Sequence, residues 1–254
     1  MNTLVSIITP SYNSSKFIEN TIKSVFKQTY KEWEMIIIDD ASSDNSNKIV
    51  KKYTQKDSRI RLITLKQNKG TAFARNVAIK EAKGRYIAFL DADDVWDLKK
   101  LEKQIKFMED NNYQFTYSGY KLINEHNVNL RRTVNPPSKL SYIELLKTNH
   151  IGCLTVIYDS EVGKINIPLI KISDDYGLWL DLLKKVNYAY CFPEALATYR
   201  LRKHSLSSNK LNLLKGNYKI FREYERLSLF KSLYYLLCNI LGKILIDLKS
   251  YISY

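Results

Sequence analysis

The chain has 254 residues, 45% hydrophobic and 12% aromatic, with only eight glycines and five prolines, which excludes low-complexity and collagen-like proteins and allows one large α/β domain, alone or with an appendage. Its formal charge of +14 is lopsided, since from Arg200 to Tyr254 eleven Lys/Arg face three Asp/Glu, so the carboxyl end suits an anionic partner. The three cysteines, Cys153, Cys191 and Cys238, are scattered and odd in number, which argues against a disulfide scaffold and for a reducing compartment.

At the amino end, "MNTLVSIITPSYN" holds a short apolar run without a cleavage-like site, which argues against a secretory leader. "LVSIIT" reads as a strand, "SKFIENTIKSVFKQ" as a helix, "WEMIIID" as a strand, "NSNKIVKKYTQK" as a helix, "IRLITL" as a strand, "GTAFARNVAIKEAKG" as a helix and "RYIAFL" as a fourth strand. Strands separated by helices predict βαβ units, hence a mainly parallel sheet covered on both faces. Beyond residue 111 the pattern loosens. "YQFTYSGYKLI" reads as strand with a turn, "NPPSK" as a loop, "SYIELLKT" as a short helix and "CLTVIYDS" as a strand. "DDYGLWLDLLKK" reads as a helix, and "YAYCF" and "ALATYRL" as two strands.

In such sheets ligands bind at the carboxyl ends of the strands, where the strand order reverses. The polar clusters "TPSYN", "DDASSD", "NKG" and "DADD" each follow one of the first four strands, so they fall where a pocket is expected. "RYIAFLDADDVW" places Asp91, Asp93 and Asp94 directly after an apolar run. Close like charges repel unless a cation or ordered donors sit among them, so the cluster points to a metal or a polyhydroxylated ligand. A helix from Leu98 offers Asp97 a plainer role as N-cap, which leaves the other three unexplained.

The blocks "SIITPSYNSSKFIENTIKSVFKQTYKEWEMIIIDDASSDNS" and "NKGTAFARNVAIKEAKGRYIAFLDADD" resemble those of the inverting family 2 glycosyltransferases. The resemblance implies a GT-A fold: α/β, Rossmann-like, a mainly parallel sheet with flanking helices, here followed by a C-terminal helical extension. It implies a catalytic domain over 1-210, with a nucleotide-sugar half at 1-97 and an acceptor half at 98-210, and a basic helical tail at 211-254. The implied activity moves a hexosyl or N-acetylhexosaminyl group from a UDP-sugar to a hydroxyl. The implied acceptor is a lipid-linked glycan of bacterial surface polysaccharide, such as O-antigen or capsule, at the cytoplasmic face of the membrane.

Residue by residue, the resemblance assigns Asp93 to a divalent cation, Mn²⁺ or Mg²⁺, both suited to oxygen ligands and phosphates. Asp91 would face the donor's ribose or sugar and is the second candidate ligand, with Asp94 behind them. Pro10, Tyr12 and Asp40 would surround the base, with Asp40 or Asp39 accepting from a uracil N–H; Asn13, Asn68 and Gly70 belong to the same donor pocket. Arg75 would stand near the diphosphate, and Arg200, His204 and Ser207 in "YRLRKHSLSSNK" would fold over it. Inversion needs a carboxylate that takes the proton of the attacking hydroxyl, and "ISDDYGLWLDLL" supplies Asp175 or Asp174. Plainer roles exist for Tyr12 as packing beneath the sheet end, Arg75 as a solvated helix arginine and Asp174 as a helix cap.

From Leu229 to Leu248 apolar residues recur at 229, 233, 236, 237, 240, 241, 244, 245 and 248, the spacing of a helix with one wide apolar face. Its longest uncharged run, Ser232 to Gly242, is eleven residues, short for a bilayer span. The face predicts a helix lying on an anionic membrane, or one packed on the catalytic domain or on a second copy in a homodimer. Two other functions compete. A sugar-nucleotide pyrophosphorylase would want a glycine-rich loop after the first strand, and "TPSYNSSK" has no glycine. A non-catalytic lipid- or nucleic-acid-binding protein would use the basic tail without an acidic pocket, and nucleic acid is the weaker partner because no zinc finger, RNA-binding aromatic motif or Walker loop is present.

Overall fold

The computed structural model describes residues 3–163, 165–170, 173–202 and 210–252. Strands β1 (Val5–Ser11), β2 (Trp33–Asp39), β3 (Ile60–Thr64) and β4 (Tyr86–Phe89) alternate with helices α1 (Ile18–Phe26), α2 (Ser46–Thr54) and α3 (Thr71–Glu81), as the periodicity predicts. β1 pairs in parallel with both β2 and β4, and β2 with β3. The order β3-β2-β1-β4 therefore reverses between β1 and β4, which locates the ligand crevice at their carboxyl ends.

β1 and β2 are buried along their whole length, because successive side chains enter opposite cores. Ile8, Ile36 and Ile38 meet Ala74 and Ala78 of α3 on one face. Val5, Ile7, Met35 and Ile37 meet Ile18, Ile22 and Val25 of α1 on the other. Amphipathic helices on both faces explain why these strands are nearly continuous apolar runs.

The same sheet continues through β5 (Val95–Trp96), α4 (Lys100–Asn111), β6 (Phe115–Asn124), β7 (Asn129–Val134), β8 (Lys139–Leu140), α5 (Tyr142–Lys147), β9 (Ile157–Asp159), α6 (Asp174–Lys185) and β10 (Ala189–Leu201). It reaches ten strands in the order β3-β2-β1-β4-β9-β6-β10-β5, with β7 on β6 and β8 on β10. β9 runs antiparallel to β4 and β6, which makes the sheet mixed but mainly parallel, the expected fold class.

Several local expectations are corrected. "YAYCF" and "ALATYRL" form one strand, β10, whose register on β6 shifts between Phe192 and Ala195 and again before Ala197, because Pro193 has no N–H for the ladder. "YQFTYSGYKLI" runs from Phe115 onward in the continuous β6 instead of turning, and "CLTVIYDS" opens with a 3₁₀ turn at Cys153–Thr155 before β9. α4 starts at Lys100 and Asp97 does not cap it. The Asp97 N–H is drawn to Leu196 O on β10, and its carboxylate pairs with Lys121 at 3.0 Å.

α7 (Lys210–Lys219) leads through a π-helical turn at Ile220–Tyr224 to α8 (Leu229–Ile252). One flank of α8 is docked. Asn239 Nδ2 donates to the carbonyls of Leu146 at 2.8 Å and Lys147 at 3.2 Å, which a helix end such as that of α5 leaves without intrahelical partners. Gly242 sits where a Cβ would lie 2.0 Å from Thr148 Oγ1. The opposite flank exposes Phe230 (85%), Leu237 (56%) and Leu245 (57%). By length and composition Leu229–Leu248 suffices to cross a membrane, while one of its flanks is docked on α5.

Candidate active site

The polar loops at the carboxyl ends of β1 and β2 are tied to one another and carry backbone strain. Asn13 and Ala41 adopt φ of 47° and 60°, left-handed values that non-glycine residues hold only where surroundings impose them. Asn13 donates its N–H to Ser42 Oγ at 2.9 Å, and its Oδ1 accepts from Ser43 N at 2.9 Å. Buried Asp40 accepts from the N–H groups of Lys69 at 2.7 Å and Gly70 at 2.8 Å, which closes the loop after β3 onto β2. Gly70, at φ 87° and ψ 164°, occupies a region essentially restricted to glycine.

Asp39 accepts from Ser42 N at 3.1 Å and Asn47 Nδ2 at 2.8 Å through Oδ2. Its Oδ1 is buried without a hydrogen-bond partner among the described residues. Of the doubled aspartates, Asp40 has both oxygens engaged and Asp39 keeps an open acceptor. Pro10 is buried in β1 beside Ile38, and Asn68 is exposed in the loop before α3. Tyr12 is 52% exposed, so it is not packed beneath the sheet and its ring is available for stacking.

At the end of β4 a buried arginine joins two acids. Arg75 Nη1 donates to Asp174 Oδ2 at 2.9 Å and Nη2 to Asp91 Oδ1 at 2.6 Å. It is buried, and so is not a solvated helix arginine. Burial opposes its charge, but Asp91 foremost, with Asp174, holds the guanidinium firmly protonated. Asp174 is the first residue of α6, not its cap; Ser173, at φ 65°, precedes it.

Asp175 makes no salt bridge among the described residues, and its Oδ1 accepts only the adjacent Tyr176 N–H at 2.9 Å. Burial, reinforced by the neighbouring Asp174 charge, pushes its carboxyl up to about 6. The first turn of α6 is held from behind, where Tyr176 Oη donates to Leu145 O at 3.0 Å and Trp179 meets Phe89 edge-on at 5.2 Å. Asn76 of α3 exchanges two 2.8 Å hydrogen bonds with the backbone of Ile167. These ties orient the acids without consuming Asp175.

The remaining acids face the end of β10. Asp94 is buried; Oδ1 accepts Arg200 N–H at 2.9 Å, while Oδ2 has no partner among the described residues. Burial, with the Asp93 and Asp91 charges, raises its carboxyl well above the usual range. Arg200 is buried and braces this loop, donating from Nε to Asp93 O at 2.8 Å and from Nη1 to Asn127 Oδ1 at 2.7 Å. Asp93 Oδ2 lies 2.6 Å from Arg202 Nε. The only signal for Arg202 in the sequence is its spacing of two from Arg200 at a strand end. His204 and Ser207 lie outside the described residues.

No group of three or more His, Cys, Asp or Glu able to hold a metal occurs among the described residues, so the chain offers Asp93 and Asp91 as a pair. Hard carboxylate oxygens, with the unpartnered Asp94 Oδ2 behind them, fit Mg²⁺ or Mn²⁺, which take one or two carboxylates and complete their shell with phosphate oxygens and water.

Residues 6–160 match the family model described as glycosyl transferase family 2. TuaG of Bacillus subtilis (strain 168), a glycosyltransferase whose name assigns it to teichuronic acid biosynthesis, is 45% identical over 230 residues, covering 90% of this chain and 91% of that one. WfgD of Escherichia coli, a UDP-Glc:alpha-D-GlcNAc-diphosphoundecaprenol beta-1,3-glucosyltransferase, is 43% identical over 236 residues, covering 92% and 91%. S. aureus TarS 1-349 in complex with UDP-GlcNAc shares the fold at a TM-score of 0.73 and 24% identity, covering 89% of this chain and 67% of that one. Mannosyltransferase PcManGT from Pyrobaculum calidifontis, in complex with GDP-Man and Mn2+, shares it at 0.68 and 18%, covering 91% and 69%. With strand-end acids, a buried arginine and a GT-A sheet already in place, this agreement over nearly the whole chain makes the protein a glycosyltransferase of family 2.

Proposed function

We propose that this glycosyltransferase moves a sugar from a UDP-sugar to a hydroxyl of a lipid-linked glycan, with inversion at the anomeric carbon and with a divalent cation, in bacterial surface-polysaccharide synthesis. The observation that carries the reading is the division between two adjacent acids. Asp174 is tied to Arg75 at 2.9 Å, whereas Asp175 has no ion pair among the described residues and a carboxyl raised to about 6. A general base works best when its affinity for protons lies near the working pH and its oxygens are not already engaged.

Asp175 takes the proton of the acceptor hydroxyl as that oxygen attacks the anomeric carbon opposite the departing diphosphate. Arg75 keeps Asp174 and Asp91 in place, and the remaining oxygen of Asp91 accepts from a donor hydroxyl. Asp39 Oδ1, a buried acceptor with no partner among the described residues, receives the uracil N–H in preference to Asp40, and Tyr12 stacks on the base. Asp93, with Asp91, would hold the cation, whose charge stabilises the leaving diphosphate.

The name of WfgD supports both donor and acceptor class: the glucosyl bond of UDP-glucose is α and the product linkage is β, on a diphosphoundecaprenol-linked sugar. A lipid-linked acceptor agrees with the exposed apolar flank of α8 and with the basic carboxyl end, which together would hold the enzyme at the cytoplasmic face of an anionic membrane.

Calorimetric titration with UDP and GDP, with and without Mn²⁺, on the wild type and Asp93→Ala tests the donor site. UDP binding that needs Mn²⁺ and weakens in Asp93→Ala is expected. Binding that ignores both the ion and the substitution, or a preference for GDP, overturns the donor and metal assignments.

A further inference from the structure

We propose that Arg202 is a built-in placeholder cation for Asp93, which neutralises that carboxylate before the donor arrives and competes for it with the divalent ion. This rests on the reading of Asp93 as the cation's ligand. The placement follows from the end of β10, where Arg200 is clamped to the acidic loop through its N–H to Asp94 Oδ1 and its Nε to Asp93 O. With that anchor two residues away, the Arg202 side chain reaches Asp93 Oδ2 at 2.6 Å.

The two arginines differ in how firmly they are held. Arg200 is 1% exposed and donates hydrogen bonds from N, Nε and Nη1. The Arg202 side chain is 34% exposed, and its Nε meets Asp93 as an ion pair without the alignment of a hydrogen bond. A contact of charge alone at a partly exposed site is weak and exchangeable. Among the described residues its guanidinium otherwise borders the Phe17 ring, at 5.6 Å, a contact that leaves it able to swing aside.

The arrangement balances the acidic cluster with the chain's own cations, Arg75 on Asp91 and Arg202 on Asp93. A metal ion arriving alone must compete with a like charge already held on the Asp93 carboxylate. An ion arriving with a nucleoside diphosphate brings anionic oxygens that can receive the released guanidinium. Arg202 therefore disfavours binding of the bare ion and couples ion entry to donor entry.

The test is a titration of Mn²⁺ followed by the electron paramagnetic resonance of the free ion, on wild type, Arg202→Gln, Arg202→Lys and Asp93→Asn, each with and without UDP. Without UDP, Arg202→Gln is expected to bind Mn²⁺ about fivefold more tightly than wild type, the scale of a partly exposed ion pair, with Arg202→Lys close to wild type. With UDP present, that gain is expected to vanish or reverse. If Arg202→Gln binds bare Mn²⁺ no more tightly than wild type while Asp93→Asn abolishes Mn²⁺ binding in the presence of UDP, the placeholder role is wrong and the metal assignment stands. If Mn²⁺ binding with UDP is indifferent to Asp93→Asn, the metal assignment falls and the placeholder with it.

Discussion

Arg75 and Asp174 stand 99 residues apart in the chain and meet in a buried pair at 2.9 Å. With Asp91 on the other side of the guanidinium at 2.6 Å, this contact ties the donor end of β4 to the first turn of α6. Removing the arginine would leave two acids facing each other in a poorly solvated site. Arg75→Met is therefore expected to destabilise the fold by about 3 to 5 kcal/mol, read from urea denaturation. Adding Asp174→Asn should recover part of that loss, since the two substitutions share one interaction; strict additivity would show that the pair is not coupled.

Asp175→Asn is expected to lower the transfer rate by about 10² to 10⁴ fold while raising stability. The folded carboxyl titrates at about 6 against an ordinary 3.8. Between those values the native state binds the proton more tightly than the unfolded chain, so this group's contribution to stability declines as pH rises through the window. Asn removes that decline, with a gain of about 1 to 2 kcal/mol at neutral pH, discounted for partial exposure. The transfer rate of the wild type should fall below about pH 6 as the base takes up its proton. A stable, fully active Asp175→Asn would eliminate it as the base.

Lys100 is fully buried, and burial lowers its ammonium to about 7. Its Nζ donates to Gln104 Oε1 at 2.7 Å. Because the folded value lies below the ordinary 10.5, the unfolded chain binds the extra proton between those values. Stability contributed by this group therefore rises with pH from about 7 upward. Thermal melting at increasing pH should show that rise in wild type and a flatter dependence in Lys100→Met.

The docking of α8 makes a sharp steric prediction. Gly242→Val would place a Cβ about where Thr148 Oγ1 stands, since the separation would be 2.0 Å, so α8 must lift from α5. Asn239→Leu would instead strip the carbonyls of Leu146 and Lys147 of their donor, at about 1 to 3 kcal/mol. Hydrogen exchange should increase across α8 and α5 in both variants. Unchanged protection would show that the helix is held by other contacts.

The exposed flank of α8 predicts vesicle binding. Phe230→Glu, Leu237→Glu and Leu245→Glu together should abolish cosedimentation with anionic phospholipid vesicles while leaving UDP affinity intact. Light scattering that reports a dimer in wild type and a monomer in the triple variant, without vesicle binding in either, would reassign the flank to a second copy of the chain.

The first four strands, their helices and the polar loops at their carboxyl ends are legible from residue order, because alternation of period and turn chemistry is local. β10 reads locally as two strands because Pro193 interrupts the ladder, although pairing on both sides of it continues along β6. Asp97 has the position of a cap when judged from its neighbours in sequence, whereas its carboxylate is held by Lys121 across the sheet.

The sequence by itself determined the α/β class and the cluster of Asp91, Asp93 and Asp94, since each depends on residue type and short spacing, and it set Asp174 beside Asp175 in "ISDDYGLWLDLL", where the resemblance to family 2 glycosyltransferases looks for the base. Only the tertiary structure decided which acid of each pair is already engaged. Asp40 is engaged by the amides of Lys69 and Gly70, Asp174 by Arg75, and Asp93 by Arg202. Those pairings join segments distant in the chain, so they depend on strand register and helix docking, which no local pattern encodes.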